Sequence, residues 1–323
     1  MTSASTDGPS APPHDVIDVR GLTKRFGSST ALSGLDLSVR AGTVHGFAGP
    51  NGSGKSTTMQ ILLGLVRRDG GTATLLGCDP WTDAAALHQR VAAVPEDPAV
   101  RADLTAGETV DLLSRLRGRL DPARRRGLLD RFELDPTRRG RNLSKGERQK
   151  VALVAAFAAQ VDVLLLDEPT SDLDPVMEDV FRSCVAEFAA RGGTVLLSSH
   201  RLDEVDALCD AVTVIRDGRT VLSGAVADLR RTTRTTLTVT TRIRPKPIST
   251  APGVHDVRPG PDDHTMSFSV EPDHLDAVMT TLSGLGLVRI AAHPPTLDDL
   301  FLQLYRAPGE PAPALRAYEE SRS

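Results

Sequence analysis

One octapeptide sets the architecture that we predict for this chain. It reads Gly49-Pro50-Asn51-Gly52-Ser53-Gly54-Lys55-Ser56 and is followed by Thr57. A glycine, four residues and then Gly-Lys-Ser form the pattern of a phosphate-binding loop. Residues 43–48 before it are typical of a short buried strand, and residues 57–63 after it of the first turns of a helix. A glycine-rich turn between a strand and a helix directs backbone N–H groups at an anion, so we predict a nucleoside triphosphate site.

Individual residues of this loop have distinct predicted tasks. Gly52 and Gly54 lack a Cβ, so the chain there can approach phosphate oxygens and adopt positive φ. Lys55 is predicted to reach the β- and γ-phosphates, and the Ser56 hydroxyl to bind a magnesium ion. A glycine-rich turn that binds nothing is the alternative, and the complete pattern with its correct flanks disfavours it.

Composition indicates a globular protein of a reducing compartment. A length of 323 residues accommodates one large domain and a smaller one, and a hydrophobic content of 40% suffices for a full core. The net charge of −4 does not favour nucleic acid as a partner. Three scattered cysteines lack metal-ligand spacing. No apolar run is long enough to span a bilayer, so we expect a cytoplasmic protein whose membrane role passes through a partner.

The order of predicted elements indicates an α/β fold. Two strands within residues 16–39 form an antiparallel sheet, and strands and helices then alternate as far as residue 222, which predicts a mainly parallel sheet. The arginine-rich helices of residues 104–141 fit a solvated face better than a docking face for a partner or acidic lipid. We predict a disordered tail over 1–14, an ATP-binding domain over 15–229 with a helical subdomain at about 84–150, an α+β domain over 230–306 that ends in a helix, and a disordered tail over 307–323.

Two strand ends carry candidate catalytic groups. Asp167 and Glu168 follow an apolar strand at the sheet edge that borders the phosphate loop. Asp167 can hold magnesium through water, and Glu168 can orient and deprotonate the attacking water. His200 ends the next apolar strand, and we predict that it contacts the γ-phosphate.

Two further segments are ambiguous when taken alone. Ser144 begins a helix with Gly146 and Glu147 in its first turn, which suits a phosphate but also describes an ordinary capped helix. Phe26 lies before the loop and can stack on an adenine face, although core packing explains it nearly as well.

In this order the segments resemble the ATP-binding subunit of ABC transporters over about residues 16–224. The matching motifs are Walker A (49–57), the signature that usually reads Leu-Ser-Gly-Gly-Gln (143–147), Walker B (164–168), the D-loop (171–174) and the switch histidine His200. The signature is the discriminating motif, because other phosphate-loop ATPases lack it. The resemblance implies a P-loop NTPase (RecA-like) core with an antiparallel β subdomain and a helical signature subdomain.

The same resemblance implies an ATPase that uses ATP and Mg²⁺, with Glu96 joining Ser56 and Asp167 at the metal. It implies a head-to-tail dimer in which Ser144, Gly146 and Glu147 of one copy meet the phosphate loop of the other. Pro95-Glu96, the Ser-Lys-Gly-Glu signature and residues 295–301 are more similar to drug and antibiotic exporters than to importers. We therefore expect a separately encoded integral membrane permease as partner, and a location at the inner face of the membrane.

Three residues depart from the family pattern. Glu96 stands where glutamine is usual, and a carboxylate can bind magnesium but donates no hydrogen bond unless it is protonated. Lys145 and Asp172 each replace a small residue, in the signature and the D-loop respectively. Two alternatives stay open: a soluble ABC-type ATPase acting on ribosomes or nucleic acid, and a module that holds ATP without hydrolysis.

Overall fold

The chain was analysed in a computed structural model, which describes residues 15–117, 120–232 and 234–293. It forms two compact units that divide after Ser223. The sequence-based boundary near Leu229 falls a few residues later. The predicted tails and the final predicted helix, over residues 297–305, lie outside the described residues.

The first unit contains two sheets and seven α-helices within the described residues. Its strands are β1 (Asp15–Phe26), β2 (Ser29–Arg40), β3 (Val44–Ala48), β4 (Gly70–Leu75), β5 (Val91–Val94), β6 (Val163–Asp167), β7 (Thr194–Ser199), β8 (Ala211–Arg216) and β9 (Arg219–Ala225). Its helices are α1 (Lys55–Leu62), α2 (Ala84–Leu87), α3 (Ala106–Leu116), α4 (Pro122–Arg131), α5 (Lys145–Ala158), α6 (Pro175–Ala190) and α7 (Leu202–Leu208).

A six-stranded sheet of order β5-β6-β7-β3-β8-β9 forms the centre of this unit. Its first five strands pair in parallel, which confirms the predicted mainly parallel sheet. Every residue of β3, β6 and β7 is buried, as expected where helices cover both faces of a parallel sheet. The Asp217-Gly218 dipeptide predicts a two-residue hairpin turn before β9, and both residues have the positive φ that such a turn requires.

Strand register brings three chain segments to one edge of this sheet. Ala48 at the end of β3 lies beside Ser199 of β7, and Asp167 at the end of β6 lies beside Ser198. The residues that follow these strands are the phosphate loop, Glu168 and His200. Parallel strands end at the same edge, so the topology alone makes these segments neighbours.

The smaller sheet, of order β2-β1-β4, is antiparallel as predicted. Apolar side chains of these strands, including Ile17, Leu35 and Leu75, form one core with Phe47 of β3 and Leu62 of α1. This core fixes the antiparallel sheet against the phosphate loop and its helix.

The helical region lies between β5 and β6 and contains α3, α4 and α5. Residues 105–108 and 144–147 both have the Ser/Thr-x-x-Glu pattern that predicts a capping box. Both boxes are present, with Thr105 and Glu108 at the start of α3 and Ser144 and Glu147 at the start of α5. β5 confirms the short strand that residues 91–94 predict, and it pairs in parallel with β6 although it lies inside the range of about 84–150 given to the helical subdomain. Phe157 of α5 packs between Phe132 and Phe181, at ring-centroid distances of 6.5 and 6.1 Å.

The second unit is an α+β fold. It comprises α8 (Val226–Thr232), β10 (Thr235–Thr241), β11 (Val254–Pro259), β12 (Thr265–Val270), α9 (Leu275–Gly284) and β13 (Leu287–His293), with an antiparallel sheet of order β11-β12-β10-β13. In β10 the buried Leu237 and Val239 join Val278 and Leu282 of α9 in the core, and the intervening threonines pair with hydroxyls of β12. Strand β11 was not predicted, because a register shift and the positive φ of Asp256 interrupt its alternation.

Phe157→Ala tests the packing of α5. The substitution leaves a cavity between two buried rings, so we expect the free energy of unfolding to fall by about 3–5 kcal/mol. Chemical denaturation measures this change, with Leu65→Ala, a truncation at a side chain that is 65% exposed, as the control. An equal loss in both variants would contradict the packing assigned to α5.

Candidate active site at the carboxyl edge of the sheet

The conformation of the phosphate loop depends on its glycines. Gly54, the residue before α1, has φ 110°, and a Cβ there would lie 2.6 Å from Leu32 Cδ2 and 2.8 Å from the Ala31 carbonyl oxygen. A Cβ on Gly49 would lie 2.3 Å from the carbonyl oxygen of Ile215. Strands β2 and β8 therefore pack so closely against the loop that only glycine fits at these two positions. Helix α1 has no side-chain cap, which leaves N–H groups of its first turn available for an anion.

The Lys55 side chain lies inside this loop. It is 6% exposed, and its Nζ donates a 2.6 Å hydrogen bond to the carbonyl oxygen of Gly49. The same Nζ lies 3.3 Å from Oε1 of Glu168. An ammonium group is thus buried between the loop and the end of β6, where it faces a carboxylate.

Glu168 and His200 form the second part of the cluster. His200 Nδ1 lies 2.8 Å from Oε2 of Glu168. The backbone of Glu168 has φ 47°, a strained conformation for a residue with a side chain, and its N–H donates to both the carbonyl oxygen and the hydroxyl of Ser198. Such strain concentrates at functional sites, and here β7 holds the Glu168 backbone in place.

The electrostatics favour an ionised pair. Burial acts to raise the pKa of Glu168, but the hydrogen bond with His200 and the charge of Lys55 outweigh it, so the pKa lies below its usual range. The hydrogen bond with Glu168 raises the pKa of His200 above its ordinary value, against the opposing effect of desolvation. Glu168 is therefore a carboxylate at neutral pH.

The residues present fit ATP with Mg²⁺. Ser56 and Asp167 line one cavity of about 540 Å³, and a hydroxyl and a carboxylate are the hard oxygen donors that Mg²⁺ takes. Within the described ranges, no group of three or more histidine, cysteine or acidic side chains forms a metal cluster. The hydroxyl of Ser53 is buried in the loop and has no hydrogen-bond partner among the described residues, which fits a group that binds a ligand.

Several predicted site residues lie outside this cluster. Ser144 is exposed, and its hydroxyl and N–H both donate to Glu147 of its own helix. Phe26 is 49% exposed at the end of β1, with Lys24 Nζ 5.2 Å from its ring centroid, so core packing is the wrong explanation for it. Glu96 is exposed, directly after Pro95, which lines the same cavity as Asp167.

Comparison with known proteins identifies the family. The ABC transporter family profile matches residues 32–171, which include the loop, the signature and the end of β6. Daunorubicin resistance ATP-binding protein DrrA2 of Streptomyces coeruleorubidus is 34% identical over 303 residues, which are 89% of this chain and 94% of that protein. Nod factor export ATP-binding protein I of Burkholderia orbicola (strain AU 1054) is 36% identical over 65% of this chain and 70% of its own length. A solved ATP-binding subunit of an ABC transporter is 28% identical, with a TM-score of 0.62 over 67% of this chain and 92% of its own.

The chain belongs to the ABC transporter ATP-binding family. It is an ABC ATPase, and its function is that of an ATP-binding and ATP-hydrolysing subunit. Among the described residues, no helix has the length and apolar character needed to cross a bilayer.

Two of the three residues that depart from the family pattern are partners in this ABC ATPase. Lys145 Nζ lies 3.0 Å from Oδ2 of Asp172, although the two are far apart in sequence. A Cβ on Gly146 would lie 2.6 Å from the Asp172 carbonyl oxygen, so the signature and D-loop backbones touch. The negative charge of Asp172 in the D-loop thus compensates the positive charge of Lys145 in the signature. Sequence reasoning missed this pair because nothing local in either segment points to the other.

Sequence reasoning also missed Ser198. Its hydroxyl donates to Oδ1 of Asp167 and accepts the N–H of Glu168, so it contacts the carboxylate of the first residue and the backbone of the second. The available signal was its position two residues before His200, near the end of a fully buried strand.

Gly54→Ala tests the fit of the loop. The new methyl meets backbone and Leu32, so we expect nucleotide affinity to fall at least tenfold, on the order of 1.4 kcal/mol or more. Fluorescent-nucleotide titration measures it. Gly77→Ala is the matched control, because Gly77 also has positive φ but a Cβ there meets nothing within 4 Å. Equal losses would mean that conformational strain alone, rather than the contact, explains the effect.

The pair of Glu168 and His200 predicts a pH dependence of stability. Since folding raises the pKa of His200, this residue adds to the free energy of unfolding. The contribution is full below the pKa of the unfolded state, about 6.5, and is lost as the pH rises through the pKa of the folded state. Since folding lowers the pKa of Glu168, its contribution to the free energy of unfolding is present above the pKa of the unfolded state, about 4.3. That contribution is lost as the pH falls through the pKa of the folded state.

We therefore expect His200→Ala to destabilise the free protein most between about pH 4.3 and 6.5. Denaturant unfolding across this range, beside parental protein and the exposed control His88→Ala, measures the difference. A His200→Ala effect that grows steadily above pH 7 would contradict the pairing.

Proposed function

We propose that this chain powers a separate integral membrane permease that exports a drug, antibiotic or other small molecule. The observation that carries the hydrolytic part of the proposal is the cluster of the buried Lys55 and Glu168 with the half-buried His200 at one sheet edge. The relatives named for daunorubicin resistance and Nod factor export support the export part. A module that only holds ATP would have no use for a strained, ionised carboxylate beside the phosphate loop.

Each residue of the cluster has a proposed task. Lys55 binds the β- and γ-phosphates and gives up its contact with Glu168 when nucleotide enters. Glu168 orients the attacking water through a carboxylate oxygen and accepts its proton. His200 holds Glu168 in the productive orientation and contacts the γ-phosphate.

Metal and base recognition involve other residues. Ser56, Asp167 and Glu96 would hold Mg²⁺, which when bound neutralises charge on the phosphate oxygens. Phe26 offers an exposed ring for stacking on adenine. The remaining loop residues, Gly49, Pro50, Asn51, Gly52, Ser53, Gly54 and Thr57, would surround the phosphates.

A second copy of the chain would complete each site. Within the described residues, Ser144 makes no hydrogen bond to the phosphate loop of its own chain, and it sits exposed at a helix start. We propose that Ser144, Gly146 and Glu147 meet the γ-phosphate held by the partner, in a head-to-tail dimer that closes with ATP and opens after hydrolysis.

The cavity beside α1 is the proposed permease site. Its rim carries Leu65 and Leu116, whose side chains are 65% and 68% exposed, with Arg117 beside them. An apolar groove with a basic edge suits an amphipathic helix of the permease at the inner face of the membrane. The cavity also reaches Ser56 and Asp167, so movement of the permease helix can shift these proposed magnesium ligands. The relatives described above are named for resistance and export, which favours this role over the ribosomal alternative.

Glu168→Gln tests the proposed catalytic role. The amide keeps the shape of the side chain but cannot take the proton, so we expect kcat for ATP hydrolysis to fall at least 100-fold, by about 2.7 kcal/mol or more in activation free energy. ATP binding should persist, and the protein should accumulate as an ATP-loaded dimer in size-exclusion chromatography.

Asp162→Asn is the matched control for that variant. Asp162 is a half-exposed carboxylate next to the opposite end of β6, in an ion pair with Arg90. We expect it to hydrolyse ATP at close to the parental rate. Parental turnover by Glu168→Gln would refute the role of Glu168.

Leu116→Glu tests the permease site. A charge on the cavity rim should reduce recovery of the chain with a polytopic membrane protein from detergent-solubilised membranes at least tenfold, without changing ATP hydrolysis by the isolated protein. Val288→Glu, at a side chain that is 63% exposed in the second unit, is the control. Recovery of parental protein with ribosomal RNA instead would favour the ribosomal alternative.

A further inference from the structure

A buried carboxylate lies behind the active-site cluster and has no part in the roles proposed so far. Glu204, on α7, is 2% exposed. Within the described residues it forms no salt bridge, and the nearby Arg201 pairs instead with Glu178 and Asp203 at 2.8 and 3.2 Å. A buried carboxylate without a cation is costly to desolvate, and an apolar side chain would pack there at lower cost.

Glu204 joins the two segments that carry the candidate catalytic residues. The hydroxyl of Ser199, directly before His200, donates to Oε2 at 2.6 Å. The hydroxyl of Thr170, two residues after Glu168, donates to Oε1 at 2.8 Å. One carboxylate therefore holds the turn after β6 and the turn after β7 together.

These two hydroxyl-bearing residues lie in the backbone turns that carry His200 and Glu168. Ser199 Oγ also accepts the N–H of Arg201 at 3.0 Å, so the serine fixes the backbone on both sides of His200. On the other side, the Glu168 carbonyl oxygen accepts the N–H of Ser171, which places Thr170 inside the same tight turn as Glu168. Moving either hydroxyl would shift the contact between His200 Nδ1 and Glu168 Oε2, which spans 2.8 Å.

We propose that Glu204 is a positioning residue for ATP hydrolysis. It holds Ser199 and Thr170 so that His200 Nδ1 and Glu168 Oε2 stay at hydrogen-bond distance. The inference rests on the catalytic roles proposed above for those two residues. Burial raises the pKa of Glu204, and the hydroxyls of Ser199 and Thr170 oppose that rise by stabilising the ionised form.

The test compares kcat with ATP affinity in three variants. Glu204→Ala removes both acceptors and should lower kcat at least tenfold while the Kd for ATP stays within twofold, because the phosphate loop is untouched. Glu204→Gln retains one acceptor, and its amide can donate to a rotated hydroxyl, so kcat should recover to within about threefold of the parent. Val205→Ala, at a fully buried neighbour on the same helix, should lower Tm without lowering kcat of the folded protein.

Coupling to the hydroxyls separates positioning from general destabilisation. Ser199→Ala and Thr170→Val should each lower kcat, and Glu204→Ala combined with Ser199→Ala should lose little more than Glu204→Ala alone. Should Glu204→Ala fail to fold, Ser199→Ala and Thr170→Val test the same split between kcat and Kd. Additive losses, or a fall in kcat for Val205→Ala equal to that of Glu204→Ala, would overturn the proposal.

Comparison with Glu168→Gln keeps the two proposals distinguishable. If Glu168→Gln is inactive but Glu204→Ala hydrolyses ATP at the parental rate, the positioning role is wrong and the catalytic proposal stands. If Glu168→Gln itself keeps the parental rate, the catalytic proposal fails, and the role of Glu204 fails with it.

Discussion

The active-site geometry depends on the register of three parallel strands. β3, β6 and β7 end together, with Ala48 beside Ser199 and Asp167 beside Ser198. That alignment places the phosphate loop, Glu168 and His200 at one edge, although about 150 residues separate the first from the last in sequence. Because all three strands are buried on both faces, a one-residue slip in register would move every side chain to the opposite face and disrupt the packing there. The same strand register therefore determines both the packing of the core and the positions of the active-site residues.

Buried charges at this edge offset one another in the free protein. Lys55 faces Glu168, and Glu168 in turn faces His200, so neither the ammonium nor the carboxylate is left uncompensated. A triphosphate would compete for Lys55 and leave Glu168 to His200 and water. The same charges that stabilise the nucleotide-free chain would then become a phosphate ligand and a base, which links binding to readiness for hydrolysis.

Sequence reasoning succeeded where the determining pattern is local. The octapeptide with its flanking strand and helix, the capping boxes at Thr105 and Ser144, and the Asp217-Gly218 turn all follow from neighbouring residues. It failed for contacts that only the tertiary fold creates. The pairing of Lys145 with Asp172 and the bridge from Glu204 to Ser199 and Thr170 join segments with no sequence signal for each other.

The central claim is that the Lys55–Glu168 contact is exchanged for a nucleotide phosphate at a site that a second copy completes. A crystal structure of Glu168→Gln with ATP and Mg²⁺ measures this directly. The account predicts Lys55 Nζ on the β- and γ-phosphates, away from the end of β6, and Ser144 of a second copy on the same γ-phosphate. Two results would contradict this exchange. In one, Lys55 Nζ still contacts the side chain at position 168 beside bound ATP; in the other, no second copy contacts the nucleotide.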